Sequence, residues 1–118
     1  MTLLEKQQAF VPRVAALLQF AASLPGYALT FGETYRTPAQ AAANAAAGIG
    51  IAHSLHSERL AIDLMVFVTG VYQTDAAAYA PLGEWWERQS TPDLTCCWGG
   101  RFTTVDADHF SIEHEGVK

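Results

Sequence analysis

Residues 48–67 read G-I-G-I-A-H-S-L-H-S-E-R-L-A-I-D-L-M-V-F, and the reading of this stretch decides the fold. Gly48 and Gly50 interrupt whatever precedes them, so 48–59 reads as a loop, polar enough to carry chemistry. From Leu60 to Thr69 the residues are apolar and rich in β-branched side chains, which predicts a strand. On a period of two, Ile62, Leu64, Val66 and Val68 face one way, and Ala61, Asp63, Met65 and Phe67 the other. A carboxylate in the middle of such a strand is costly unless it is hydrogen-bonded, paired or bound to a cation.

Upstream, Leu3, Leu4, Phe10, Val11, Val14, Leu17, Leu18 and Ala21 recur at helical spacing and predict a helix over 2–24, ended by Pro25-Gly26. Pro12 falls inside that pattern and implies either a kink or a true start near Val11. The alternation of Tyr27, Leu29 and Phe31 with Ala28 and Thr30 predicts a strand over 27–35. Thr37 and Pro38 are a good cap and first residue for an alanine-rich helix over 39–47. Downstream, Gly70 and Val71-Tyr72 suggest a turn and a short return strand. Thr74 or Asp75 caps a helix reaching about Gln89, with Trp85 and Trp86 read as core. Strands follow at 95–102, where the Gly99-Gly100 pair permits close backbone approach, and at 108–114. Helices packed on a small, mostly antiparallel sheet make an α+β domain, with residues 1–118 as one unit and no linker or repeat.

A length of 118 residues with 50% apolar content is enough for a core without disulfides. The net charge of −5 and seven scattered basic residues argue against nucleic acid as a partner. Cys96 and Cys97 are adjacent and are expected to be reduced, and no C-x-x-C unit offers a cysteine metal site. Polar residues 5–8 interrupt any signal-peptide core, and no apolar run approaches membrane-span length. The expectation is a monomer kept in the cytosol.

The residues with metal-binding chemistry are His53, His56, His109 and His114, with Asp63, Asp106 and Asp108. Zinc accepts His nitrogen and carboxylate oxygen, and a catalytic zinc site keeps one of four positions open. Six residues separate His56 from Asp63, a loop ligand set against a strand ligand. Taken alone, His56 also reads as a surface loop histidine, and Asp63 as a buried carboxylate capping a neighbouring loop. Asp106 and His109, three apart, can share one side of a tight turn, although V-D-A-D is also ordinary turn chemistry. Asp108 competes with Asp106 as a base. Arg36 reads either as a cleft residue or as a surface charge paired with Glu33. Trp98 reads either as a cleft wall or as a packed strand aromatic. His53 is expected in the loop without a ligand role, and His114 facing solvent.

Three segments carry a resemblance. S-L-H-S-E-R-L-A-I-D (54–63), C-W-G-G-R-F (97–102) with D-A-D-H-F (106–110), and E-T-Y-R-T-P-A-Q (33–40) resemble, in order, motifs of the zinc D-Ala-D-Ala carboxypeptidases and L-alanyl-D-glutamate endopeptidases that act on bacterial cell walls. The resemblance spans roughly residues 33–113. It implies the hedgehog/D,D-peptidase α+β fold and one zinc ion per chain held by His56, Asp63 and His109. It implies Asp106 as catalytic base and Arg36 as the contact for a scissile carbonyl or substrate carboxylate, with Gln40 and Ser54 supporting and Trp98 near the substrate. Ala107 and Asp108 replace the prolines often found between base and histidine, and Ser111 replaces a common Glu. The implied substrate is a peptidoglycan stem peptide, cut most readily between L-Ala and D-Glu, with D-Ala-D-Ala cleavage as the alternative. The implied setting is a phage-type endolysin that stays in the cytoplasm until lysis and then acts on the wall. A non-catalytic structural or binding module on the same fold is the reading from another class.

Overall fold

The computed structural model describes all residues from 1 to 118. Helix α1 spans Leu3–Ser23. Thr2 caps it: its hydroxyl accepts from the Glu5 amide at 3.1 Å, and the Glu5 carboxylate accepts from the Thr2 amide at 2.8 Å. This reciprocal pair satisfies two amides that the helix itself leaves free. The helix continues through Pro12, which therefore does not mark its start. Proline there forfeits one backbone hydrogen bond, and burial of Phe10, Leu17 and Ala21 on the core side outweighs that loss. Leu4 and Val11, expected on the buried stripe, are exposed.

Strand β1 (Tyr27–Phe31) pairs antiparallel with β2 (Ala61–Val68), in a register running from Tyr27 opposite Val68 to Phe31 opposite Leu64. The strand is shorter than expected, yet the contact continues beyond it. The Gly32 amide donates to the Asp63 carbonyl and the Asp63 amide to the Glu33 carbonyl, both at 2.8 Å. Helix α2 (Pro38–Ala46) begins as the sequence implies, with the Thr37 hydroxyl accepting from the Gln40 amide at 3.1 Å. β3 (Val71–Tyr72) folds back on the far end of β2. Helix α3 (Ala76–Glu87) is capped by Asp75, whose carboxylate accepts from the Ala77 amide.

β4 (Cys96–Trp98) is also shorter than expected, because Gly99–Arg101 turns into a single 3-10 turn closed by the Phe102 amide on the Gly99 carbonyl. β5 (His109–Ile112) lies between β2 and β4, giving the order β1-β2-β5-β4 with β3 beside β2. All pairings are antiparallel.

α1 and α3 cover one face of this sheet. Ile62, Leu64, Val66, Phe110 and Ile112 project into that core, where they meet Phe10, Leu17, Tyr79, Leu82 and Trp86. Each such side chain contributes roughly 1.5–3 kcal/mol by leaving water. The aromatic polar atoms carried inside are satisfied, whereas the buried Ser111 hydroxyl has no partner. The Trp86 indole donates to the Ser111 carbonyl at 3.0 Å, and the Tyr79 hydroxyl donates to the Gln73 carbonyl and accepts from the Val66 amide. Trp85 stacks on Phe20 of α1, so both tryptophans of the pair serve packing. Because side chains alternate, Asp63 and His109 emerge on the face that α1 and α3 leave open. No helix is long and apolar enough to cross a membrane.

Candidate metal centre

Asp63 and His109 are directly opposed in the β2–β5 ladder. The flanking bonds, Leu64 amide to Asp108 carbonyl and Ile112 amide to Leu60 carbonyl, leave this pair at a site without its own ladder hydrogen bonds. Opposed side chains come closest at such sites. His109 Nδ1 lies 3.7 Å from Asp63 Oδ1. The turn preceding β2 brings His56 to the same oxygen, its Nε2 at 3.3 Å. The two imidazoles sit edge to face at 5.3 Å. One donor atom from each of His56, Asp63 and His109 lies within 4.8 Å of the others.

One of the two histidines is held from behind. His56, 3% exposed, sets Nδ1 at 3.2 Å from the Thr34 carbonyl, and its own amide donates to the Ser54 hydroxyl. A carbonyl can only accept, so Nδ1 carries the proton, and a neutral His56 turns the Nε2 lone pair towards Asp63. Two acceptors at 3.3 Å require a proton or a cation between them. Without a metal, the protonated histidine answers. Burial opposes the charge on His56, but the Asp63 hydrogen bond and charge and the Thr34 carbonyl hold its pKa above the ordinary value. Burial likewise opposes the Asp63 carboxylate, yet the polar N–H groups and charge of the His109 and His56 imidazoles beside it bring it down to about 2. Asp63 Oδ1 is nevertheless a buried oxygen with no hydrogen-bond partner of good geometry. An orphaned carboxylate oxygen facing two imidazole nitrogens fits a divalent ion that prefers nitrogen and oxygen donors. The residues present can hold a metal.

Asp106 stands beside this trio, its carboxylate 3.8 Å from His109 Nδ1 and its side chain 55% exposed. Its position is set by Gly99, whose carbonyl accepts the Asp106 amide at 3.0 Å. A Cβ on Gly99 would sit 2.0 Å from the Asp106 carbonyl oxygen, so this close approach needs glycine. Asp108 does not line the cleft, although one carboxylate oxygen from each of Asp63, Asp106 and Asp108 lies within 4.8 Å of the others. It joins Tyr72, Thr74 and Tyr79 around a separate hollow on the other side of Asp106. Burial, a hydrogen bond with Asp106, and the charges of Asp63 and Asp106 push its pKa up to about 7. In its protonated form Asp108 is a hydrogen-bond donor to Asp106.

These groups open onto a cleft of about 590 Å³. One lip carries Arg36, Ile49, Ile51 and Ser54, the other Phe102, Thr104, Val105 and Lys118. Arg36 is ion-paired to Glu33 and donates to Ser54 Oγ at 3.3 Å, so the two expected roles, surface pair and cleft residue, coexist. Ser54 is buried and serves Arg36 and His56 together.

Two expected cleft residues are elsewhere. Trp98 is 4% exposed, lies against Gly83 and Gly100, and donates its indole N–H to the Ala107 carbonyl at 2.7 Å. It packs as a strand aromatic, because β4 turns this face towards α3. Gln40 is exposed and donates to Asn44 one turn along α2, a local pair that keeps it on the helix surface. His114, expected in solvent, is largely covered. The sequence reading also missed contributors: the Thr34 carbonyl behind His56, Phe102 against His109 at 5.4 Å, and Lys118. Backbone carbonyls and long-range neighbours leave no motif to read. A second groove of about 210 Å³, between α1 and β1, is lined by apolar residues and carries no group able to ligate a metal.

A fold of helices on one face of a five-stranded antiparallel sheet, with a His-Asp-His cluster on the other face, defines an α+β protein able to hold a metal in an open cleft. No family model matches the sequence, and no curated protein matches it. Among solved structures it is similar to the crystal structure of the Serratia marcescens L-Ala D-Glu endopeptidase ChiX, with a TM-score of 0.68. The match covers 92% of this chain and 84% of that chain at 21% identity. The two proteins share a fold.

Proposed function

We propose that this protein is a zinc peptidase that hydrolyses peptidoglycan stem peptides, cutting between L-Ala and D-Glu. The observation that carries the reading is the convergence of His56, Asp63 and His109 on one point beside Asp106, in an open cleft. The fold shared with an enzyme named as an L-Ala D-Glu endopeptidase supports the endopeptidase bond over D-Ala-D-Ala cleavage.

His56 Nε2, Asp63 Oδ1 and His109 Nδ1 would hold the ion. When bound, zinc supplies Lewis acidity, which acidifies water and polarises an amide carbonyl. Asp106 is exposed enough to reach a water in the cleft and close enough to the centre to take its proton and hand it on to the leaving amine. Arg36, pinned by Glu33 and Ser54, presents guanidinium N–H groups to the carbonyl oxygen or to a substrate carboxylate. Thr34 and Ser54 fix His56 in one orientation.

The test is digestion of purified peptidoglycan by the zinc-loaded protein, followed by mass spectrometry of the fragments. New N-terminal D-Glu is the expected product. Release of D-Ala would move the bond to the carboxypeptidase position, and an unaltered wall with the metal in place would end the peptidase reading. Such an enzyme meets its substrate at the wall, the setting of an endolysin.

A further inference from the structure

Glu33 lies just beyond the end of β1, and it reaches three of the residues that build the cleft. Its carbonyl accepts the Asp63 amide at 2.8 Å. Its carboxylate oxygen Oε1 accepts from Arg36 Nε at 3.0 Å and from Arg36 Nη2. The same oxygen lies 3.7 Å from His56 Nδ1. Ser54 also bridges Arg36 and His56, but as a neutral hydroxyl that meets the His56 backbone. Glu33 does so with a charge, and on the imidazole itself.

The backbone fixes where Glu33 stands. The Gly32 amide bonded to the Asp63 carbonyl, and the Asp63 amide bonded to the Glu33 carbonyl, carry the β1–β2 pairing past the end of the strand. A Cβ on Gly32 would lie 2.9 Å from Asp63 Cβ, so this close approach to the strand that carries Asp63 needs glycine. Farther on, the Arg36 amide donates to the His56 carbonyl at 3.3 Å, which ties residues 33–36 to the loop that supplies His56.

His56 Nδ1 already has its hydrogen bond to the Thr34 carbonyl, so the contact with Glu33 at 3.7 Å acts through charge. A negative charge behind Nδ1 makes Nε2 a stronger donor to a cation on the far side of the ring. Arg36 needs the same charge for a different reason. It lines the cleft that holds the metal donors, and an unneutralised guanidinium there would repel a divalent ion. Glu33 cancels that charge and takes N–H groups of Nε and Nη2, while Ser54 takes one of Nη1. One N–H on each of Nη1 and Nη2 is left for a ligand.

We infer that Glu33 is a positioning residue: its one carboxylate fixes the Arg36 guanidinium and strengthens His56 as a metal ligand, so that substrate contact and metal affinity depend on a single charge. This rests on reading His56, Asp63 and His109 as a metal centre.

The test reads zinc affinity before activity. Metal-free protein is titrated with zinc against a chromophoric chelator, with no peptide present. Glu33→Gln keeps the length of the side chain and the backbone contacts and removes the charge. It is expected to bind zinc about tenfold more weakly than wild type, the lower end of the range for groups behind a metal ligand, because Glu33 is partly exposed. Glu33→Asp keeps the charge and should recover most of the loss. Melting temperatures of the metal-free variants report any damage to the fold. At saturating zinc, Glu33→Gln should also lower kcat/KM on stem peptides, and in an Arg36→Gln background it should lower it little further. A Glu33→Gln variant with wild-type zinc affinity would overturn the assignment, as would Glu33→Asp binding zinc as weakly as Glu33→Gln. A wild type that binds zinc and cleaves nothing, with affinity still lost in Glu33→Gln, would sink the peptidase reading and keep Glu33 behind the metal ligand. A wild type that binds no zinc would end both.

Discussion

Asp63 and His109 occupy opposed positions of the β2–β5 ladder, so strand register alone brings two of the three candidate donors together. A slip of one residue would turn Asp63 into the core and dismantle the centre. The centre is thus as rigid as the sheet, and only His56 depends on a loop.

The first expectation concerns the metal. The purified protein should carry about one zinc per chain. Asp63→Ala and His56→Ala should each lose it, since each removes one of three donors. Elemental analysis after gel filtration is the check, and a metal-free wild type prepared without chelator would contradict the site. Chelation should lower the melting temperature of wild type and leave that of Asp63→Ala unmoved.

Asp106 offers a separation of binding from chemistry. Asp106→Ala should retain zinc and lose about 10²–10⁴-fold in kcat on stem peptides, the scale of a general base. Asp108→Ala should cost less, because Asp108 does not line the cleft and acts on Asp106 through a hydrogen bond. If instead Asp108→Ala is the inactive variant and Asp106→Ala is active, the two roles are exchanged.

The metal-free protein should have a defined pH window. The Asp63 pKa is lowered from 3.8 to about 2, so its contribution is present above pH 3.8 and lost as pH falls towards 2. His56 is raised above 6.5, so its contribution is present below pH 6.5 and lost as pH rises through the folded value. The raised Asp108 works the opposite way to Asp63, costing stability as pH climbs from 3.8 to about 7. Melting temperatures of chelator-treated protein should therefore be highest at about pH 4 and decline from there towards the alkaline side. Asp63→Asn should flatten that decline; an equal slope in the variant would place the titrating pair elsewhere.

Gly99 is the backbone device that places Asp106. Gly99→Ala puts a Cβ 2.0 Å from the Asp106 carbonyl oxygen and 2.9 Å from His109 Cβ. The loop must shift, at about 1–3 kcal/mol in denaturant unfolding. Zinc affinity and activity should fall together, because both His109 and Asp106 move. Wild-type unfolding midpoints for Gly99→Ala would show that the loop relaxes without strain.

Much of this protein was legible in its sequence. The period of two over residues 60–69 set Asp63 apart from Ile62, Leu64 and Val66, because alternation is a local property of extended backbone. Thr37-Pro38, Asp75 and Gly99-Gly100 announced two helix starts and one close approach, since caps and glycines act within a few residues. Strand lengths were overestimated at residues 32–35 and 99–102, where glycines end regular pairing in a way propensity does not register. Trp98 and Gln40 were drawn towards the cleft by their nearness in sequence to residues that line it. Their true surroundings, Gly83 with Ala107 and Asn44, depend on how β4 meets α3 and which side of α2 is free.

By itself, then, the sequence determined the elements, the set of groups able to bind a metal, and the awkwardness of a carboxylate at 63. Only the tertiary structure decided that Asp63 Oδ1 is left without a hydrogen bond between two imidazoles, that Asp106 rather than Asp108 borders the cleft, and that Lys118 lines it. Those outcomes rest on contacts between residues far apart in the chain, such as His56 with Thr34 and Arg36 with Ser54. Such contacts are fixed by strand order and register, which no local pattern encodes.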